Sequence, residues 1–189
     1  HKILNHPVEI NIAISKPAER VLQVAYVVYE SQKIPLAVSL LREDRLRTVL
    51  IFCSTKSSTK SLSRELKRNG LKVEEIHSDL EQSEREKVLL AFRNRSLNIL
   101  VATDILSRGI DIEDIDLVMN FDVPNDGEDY IHRIGRTARA ASEGMAITFI
   151  SEKEMGKFGD IERLLGSPVY KTQLPADLGE GPVYDPKKR

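Results

Sequence analysis

Cysteine is nearly absent from this chain: Cys53 stands alone among 189 residues, so no intramolecular disulfide can form. That excludes a crosslinked secreted scaffold and fits a reducing compartment. No apolar run approaches the ~20 residues that a membrane-spanning helix requires. Excess charge of one sign is missing as well, since 28 Lys and Arg face 29 Asp and Glu for a net charge of −1. A polycationic tail or broad basic face is therefore excluded, and recognition of a polyanion must rest on a local site. The ten glycines include no Gly-x-x-x-x-Gly-Lys-Ser/Thr run, so no loop of that type cradles phosphates. The opening His1-Lys2-Ile3-Leu4-Asn5 has neither a starting Met nor a secretory signal. It reads as a cut inside a longer, cytoplasmic protein.

What is present suits one soluble domain, with 41% hydrophobic residues to fill a core and 30% charged residues to cover it. Short β-branched runs alternate with helical stretches, the signature of an α/β fold with a mostly parallel sheet. Strands are expected over Val8–Ile14, Val21–Tyr29, Thr48–Cys53, Leu71–Ile76, Asn98–Ala102, Leu117–Phe121 and Ala146–Ile150. Thr48–Cys53 is continuously apolar, as in a strand covered on both faces. Between them, Ile34, Ala37, Leu40 and Leu41 mark one buried helical face. Further helices are expected over Ser58–Arg68, Glu81–Arg93 and about Gly127–Ile134, and through Met155, Phe158, Ile161 and Leu165. Asp79 with Gln82, and Ser151 with Glu154, have the spacing of capping boxes. The organisation that follows is one doubly wound domain over residues 1–175, its first 15 residues an incoming linker, with a polar tail over 176–189.

In open α/β sheets ligands bind outside the carboxyl ends of the strands. Three polar segments are predicted there: Ser54-Thr55, Thr103-Asp104 leading to Ser107-Arg108-Gly109-Ile110-Asp111, and the stretch around His132. Arg136 and Arg139 are three apart, so a helix continuing through both would present two phosphate-matching forks on one face. A solvated basic helix end has the same pattern. Asp111 could accept from ribose hydroxyls or simply cap a turn. Gln82 and Arg85 open a helix, where N–H groups favour an anion, although Glu81 and Glu84 offer Arg85 an ordinary ion pair. Thr103 could donate to a phosphate or bond its own backbone. Cys53 reads as an inert core thiol.

Taken in order, Ile51-Phe52-Cys53-Ser54-Thr55, His77 through Arg85, Ala102-Thr103-Asp104 through Arg108-Gly109-Ile110-Asp111, and His132 through Arg139 resemble four motifs of the DEAD-box helicases. The resemblance runs from about Ile10 to Leu165, and the His132-Arg133-Ile134-Gly135-Arg136 run is its most specific part. His77-Ser78-Asp79 and Thr137-Ala138-Arg139 look most like the bacterial RhlE-type subgroup. Ser78 and Ala138 stand where the wider family usually has Gly.

The resemblance implies a RecA-like helicase C-terminal domain of the P-loop NTPase type, using ATP and Mg2+ and binding RNA by its backbone with little sequence preference. It implies that Arg139 is the arginine finger with Arg136 beside it, and that Asp111 and Gly109 meet the nucleotide. It further implies that His132 links nucleotide state to the RNA side. Thr55, Gln82, Arg85, Thr103, Asp104 and Arg108 fall on the RNA-facing positions. No Asp-Glu-Ala-Asp run occurs, so a first RecA-like domain N-terminal to His1 is expected to hold most of the Mg2+ site, and this chain alone to be inactive. Ribonucleoprotein or degradation-complex partners are expected, and no membrane. The alternative is a non-catalytic RecA-like module that only docks other proteins.

Overall fold

The computed structural model describes residues 21–42, 48–104, 112–137 and 143–187. Seven strands form one sheet: β1 (Val21–Val27), β2 (Val49–Cys53), β3 (Val73–Ile76), β4 (Ile99–Thr103), β5 (Leu117–Asn120), β6 (Gly144–Ile150) and β7 (Tyr170–Thr172). Their spatial order is β3-β4-β2-β5-β6-β1-β7, and every pairing is parallel. Five helices connect them: α1 (Lys33–Leu41), α2 (Lys56–Arg68), α3 (Gln82–Arg93), α4 (Gly127–Ile134) and α5 (Met155–Leu165). The alternation of β2 shows how the chain is layered. Val49, Ile51 and Cys53 join Leu36, Leu40, Leu62 and Leu66 of α1 and α2 on one face, while Leu50 and Phe52 join Phe92 of α3 on the other. Tyr130, Ile134, Met155, Phe158 and Ile161 of α4 and α5 cover the remainder of that second face. With helices on both sides, the central strands are buried at every position and largely apolar, as expected of a buried parallel sheet.

The α/β reading holds, with three corrections of detail. The capping box of α3 is formed by Glu81 and Glu84, not by Asp79 and Gln82, because the N-cap is Glu81 and the helix begins at Gln82; Glu81 N–H donates to Glu84 Oε2 at 3.1 Å. Helix α4 stops at Ile134 and tightens into a 3-10 turn over Gly135–Thr137, so Arg136 lies on that turn and not on the α-helix. That turn is held down where Thr137 packs on Gly144, a position with no room for a Cβ. The third is β7, a three-residue edge strand beside Val24–Tyr26 that shows no apolar pattern. The strand expected over Val8–Ile14 lies outside the described residues.

The polar C-terminal segment lies against the domain. Gln32 Nε2 donates to the carbonyls of Leu178 (3.0 Å) and Glu180 (3.1 Å). Tyr184 donates to Glu162 Oε2 at 2.7 Å, and its ring meets that of Phe158 edge-on. Gly181 sits directly on the Val27 carbonyl, where any side chain would collide.

Candidate functional site at the carboxyl edge of the sheet

Because all strands run the same way, the segments after β2, β4, β5 and β6 emerge on one edge, and two buried cations tie them together. Arg133 of α4 is only 2% exposed. One of its terminal nitrogens donates to Asn120 Oδ1 at 3.0 Å, the other forms an ion pair with Asp104, and its guanidinium lies 4.8 Å from the centre of the Phe52 ring. It therefore touches the ends of β2, β4 and β5 from a single helix position. A planar, permanently charged fork is suited to this, since it can hold several acceptors and stack on a ring at once.

Lys33 is the second cation and is fully buried. Its ammonium is 2.8 Å from Asp122 Oδ1 and 3.0 Å from Glu154 Oε2. Burial alone would lower the Lys33 pKa, but the attraction of Asp122 and Glu154 outweighs it and raises the value. Burial likewise opposes ionisation of Asp122, and Lys33 with Ser54 outweighs it, so the carboxyl stays below its ordinary range. The carboxylates that Lys33 holds in turn fix backbone donors: Asp122 accepts from Ser54 N–H at 2.8 Å, and Glu154 accepts from Val123 N–H at 3.1 Å and Ser151 N–H at 3.0 Å. These bonds define where the loops leave the sheet.

The RNA-side candidates sit on this frame. Thr55 caps α2, its hydroxyl oxygen accepting from Ser58 N–H at 3.0 Å. Asp79, after β3, holds Lys56 at 2.8 Å and Lys60 at 2.9 Å, and those hydrogen bonds pull its carboxyl down to about 2. The loop carrying Ser78 and Asp79 is thereby drawn against the start of α2. Arg85 of α3 donates to the Ser78 carbonyl at 3.3 Å, which brings it to the same neighbourhood as Thr55. The Nε of Arg85 is enclosed and has no partner. Gln82 is exposed and turns along its own helix to Glu86, at 3.2 Å. Thr103 is 6% exposed, and its hydroxyl also lacks a partner. Asp104 is half-exposed and engaged by Arg133.

Of the candidates for the nucleotide side, His132 is exposed at the last turn of α4 and Arg136 is half-buried in the 3-10 turn that follows. Arg108, Gly109, Asp111 and Arg139 lie outside the described residues. The arginine chemistry present at Arg136 fits phosphate oxygens. At the start of α2 the Ser58 N–H is already taken by Thr55, and Asp79 is matched by Lys56 and Lys60. Among the described residues no three His, Cys, Asp or Glu side chains converge as a metal site. Cys53 is buried, and burial pushes its thiol up, consistent with an inert core position.

Comparison with known proteins bears on the same elements. The helicase conserved C-terminal domain matches residues 32–141, more than half of the chain and the stretch from the 3-10 turn before Lys33 to just past Arg139. The chain belongs to that family. An ATP-dependent RNA helicase eIF4A of Scheffersomyces stipitis is 36% identical over 180 residues, covering 94% of this chain and 45% of the relative. A solved DEAD box protein from the hyperthermophile Methanococcus jannaschii superposes with a TM-score of 0.78 at 39% identity, over 84% of this chain and 43% of that one. S. cerevisiae Dbp5 bound to RNA and ADP BeF3 superposes with a TM-score of 0.72 at 30% identity, over 79% of this chain and 40% of Dbp5. This helicase C-terminal domain thus spans about half the length of the relatives it matches, and its sheet is RecA-like. No helix among the described residues is long and apolar enough to cross a membrane.

The sequence reading missed Lys33, Asp122 and Glu154 as a unit, and gave Arg133 no role. The only sequence signal for the first three was a capping-box glutamate at Glu154 and a lysine opening an apolar helix, neither of which names a partner.

Proposed function

We propose that this chain is the second RecA-like domain of an ATP-dependent RNA helicase of the DEAD-box type. It closes on a first RecA-like domain, completing an ATP site and gripping RNA by its backbone, so that hydrolysis is coupled to local duplex opening. The observation that carries this reading is the Arg133 bridge. It joins the Thr103-Asp104 strand end, assigned by resemblance to RNA, to the helix that carries His132 and leads into the turn with Arg136, both assigned by resemblance to the nucleotide side. A shift at one is therefore felt at the other through a short, rigid path. The ligands named for Dbp5, RNA and ADP BeF3, support the same pairing.

When bound, ATP with Mg2+ supplies the phosphoryl group that passes to water. In the closed state Arg136 and Arg139 present their guanidiniums to phosphate oxygens, and Gly109 and Asp111 accommodate the ribose. Arg85, Thr103 and the loop at Thr55 contact RNA phosphates, with Gln82, Asp104 and Arg108 beside them. Such contacts position a strand without reading its bases. Most of the metal site and the phosphate-cradling loop belong to the first domain. The His77-Ser78-Asp79 and Thr137-Ala138-Arg139 wording supports a bacterial RhlE-type protein, working in the cytoplasm within ribonucleoprotein or degradation complexes.

The test is RNA-stimulated ATP hydrolysis by the two-domain protein and by this chain alone. The chain alone is expected to be inactive. Arg139→Ala in the two-domain protein is expected to remove ~10³ to 10⁵ of the rate, as for other arginine fingers. Full hydrolysis by that variant would leave the docking-only alternative standing.

A further inference from the structure

An open groove of about 1030 Å³ runs along α5, and none of the RNA-side candidates lines it. The RNA-side residues follow β3, β4 and β2 at one end of the sheet, whereas α5 covers β6 and β1 toward the other. One wall is α5 itself and the other is the returning C-terminal segment, where Pro186 packs so closely on Gly159 that a Cβ there would lie 2.6 Å from the proline Cβ. Gly156, Gly166 and Pro168 leave the floor without long side chains, so a backbone can approach it.

The charge along this groove is uneven. Its own carboxylates are engaged within the domain: Asp160 pairs with Arg163, and Glu162 takes Lys171, Tyr184 and the Val169 N–H. Its lysines are not matched in this way. Among the described residues Lys157 meets the Asn125 amide oxygen at 3.3 Å, and Lys153 forms an exposed ion pair at 3.6 Å with Glu30, which it shares with Lys33 at 3.5 Å. Lys187 extends the same sign along the opposite wall. The result is a local positive strip on a chain whose net charge is −1.

We propose that this groove docks an extended, acidic peptide segment of a partner protein, its carboxylates meeting Lys153, Lys157 and Lys187 while its backbone lies on the glycine floor. Single-stranded RNA fits less well, because no aromatic ring is among the described residues that line the groove, and base stacking is what such RNA sites supply beyond phosphate contacts. The inference rests on the groove alone and stands whether or not the strand-end site binds RNA.

The experiment uses the whole chain, a fluorescein-labelled peptide of alternating Glu and Leu, a Lys/Leu peptide of the same length, and oligouridylate. Anisotropy measures affinity, and backbone amide NMR shifts locate the contact. The Glu/Leu peptide is expected to bind at low salt and shift the Gly156, Gly159 and Gly166 amides, and the Lys/Leu peptide to do neither. Combining Lys153→Glu with Lys157→Glu is expected to weaken binding roughly tenfold or more, with an unchanged melting temperature. Lys187→Gln alone should weaken it less, and Arg85→Ala should leave it untouched. Shifts confined to the strand ends, an affinity indifferent to both lysine changes, or oligouridylate binding these same amides more tightly than the peptide would overturn the proposal.

Discussion

Arg133 and Asp104 form an ion pair that joins the helix after β5 to the segment after β4, with the Phe52 ring beneath the guanidinium. The two partners differ in exposure: Arg133 is enclosed, while Asp104 keeps part of its side chain in water. Removing the aspartate therefore strands a buried cation, whereas removing the arginine leaves a carboxylate that can hydrate.

Arg133→Ala should nevertheless destabilise the domain by about 3 kcal/mol, since Asn120 Oδ1 and the Phe52 face also lose their partner. Arg133→Lys should recover little of this, because one ammonium cannot hold Asn120 Oδ1, Asp104 and the Phe52 ring at once. Urea unfolding of the chain measures both. A change within ~0.5 kcal/mol for both variants would put Arg133 with ordinary surface positions and end its role as a bridge.

The Lys33 network gives stability a predictable dependence on pH. Asp122 has a folded pKa below its ordinary 3.8, so its contribution is complete above that value and is lost as pH falls through the lower folded one. Lys33 has a folded pKa above its ordinary 10.5, so its contribution is complete below 10.5 and is lost as pH rises through the higher folded one. Stability should be flat with respect to this pair between those limits. Asp122→Asn should lower that plateau by about 3 to 5 kcal/mol and flatten the acid limb. Unfolding series across pH would show it; an acid limb identical to wild type would mean Asp122 is not the group that titrates.

How much of this was legible beforehand depends on how local each feature is. The parallel sheet was readable because strands buried on both faces are apolar nearly throughout, as Val49–Cys53 is and as the strand ending at Thr103 is up to that residue. Edge strand β7 was not, since Tyr170–Thr172 is short, half-exposed and held mainly by backbone pairing to β1. The candidates Thr55, Arg85, Thr103 and Arg136 are legible from their places at strand ends, a helix start and a helix end, and the family resemblance adds their roles. Lys33 meets Asp122 and Glu154 across 89 and 121 residues, and no local pattern encodes a contact at such separation. The spacing allows Asp79 to act as a cap, but Lys56 and Lys60 of α2, 23 and 19 residues away, claim it instead.

Arg85→Ala should weaken binding of single-stranded RNA by this chain and reduce the slope of log affinity against log salt by about one unit, the loss of one phosphate contact. Its anchoring bond to the Ser78 carbonyl is modest, so the melting temperature should fall by only a degree or two. A salt titration with a uridine oligomer and one of mixed sequence would also check that base identity matters little. An unchanged slope would remove Arg85 from the RNA contacts.

Thr103→Val separates stability from binding most cleanly. The Thr103 hydroxyl is enclosed at the end of β4 without a hydrogen-bond partner, and an unpaired buried hydroxyl carries a desolvation cost of ~1 to 3 kcal/mol. Valine has nearly the same shape, suits a strand between apolar neighbours, and has no group to leave unpaired. The variant should therefore be as stable as wild type or more so, by about 1 kcal/mol. If the hydroxyl is retained for a phosphate that reaches it when RNA binds, the same variant should lose several-fold in RNA affinity while melting no earlier. Urea unfolding and RNA titration of one preparation give both numbers. Unchanged affinity would make Thr103 a residue of the core alone, and a loss of stability would mean its hydroxyl has a partner that its position at the strand end does not reveal.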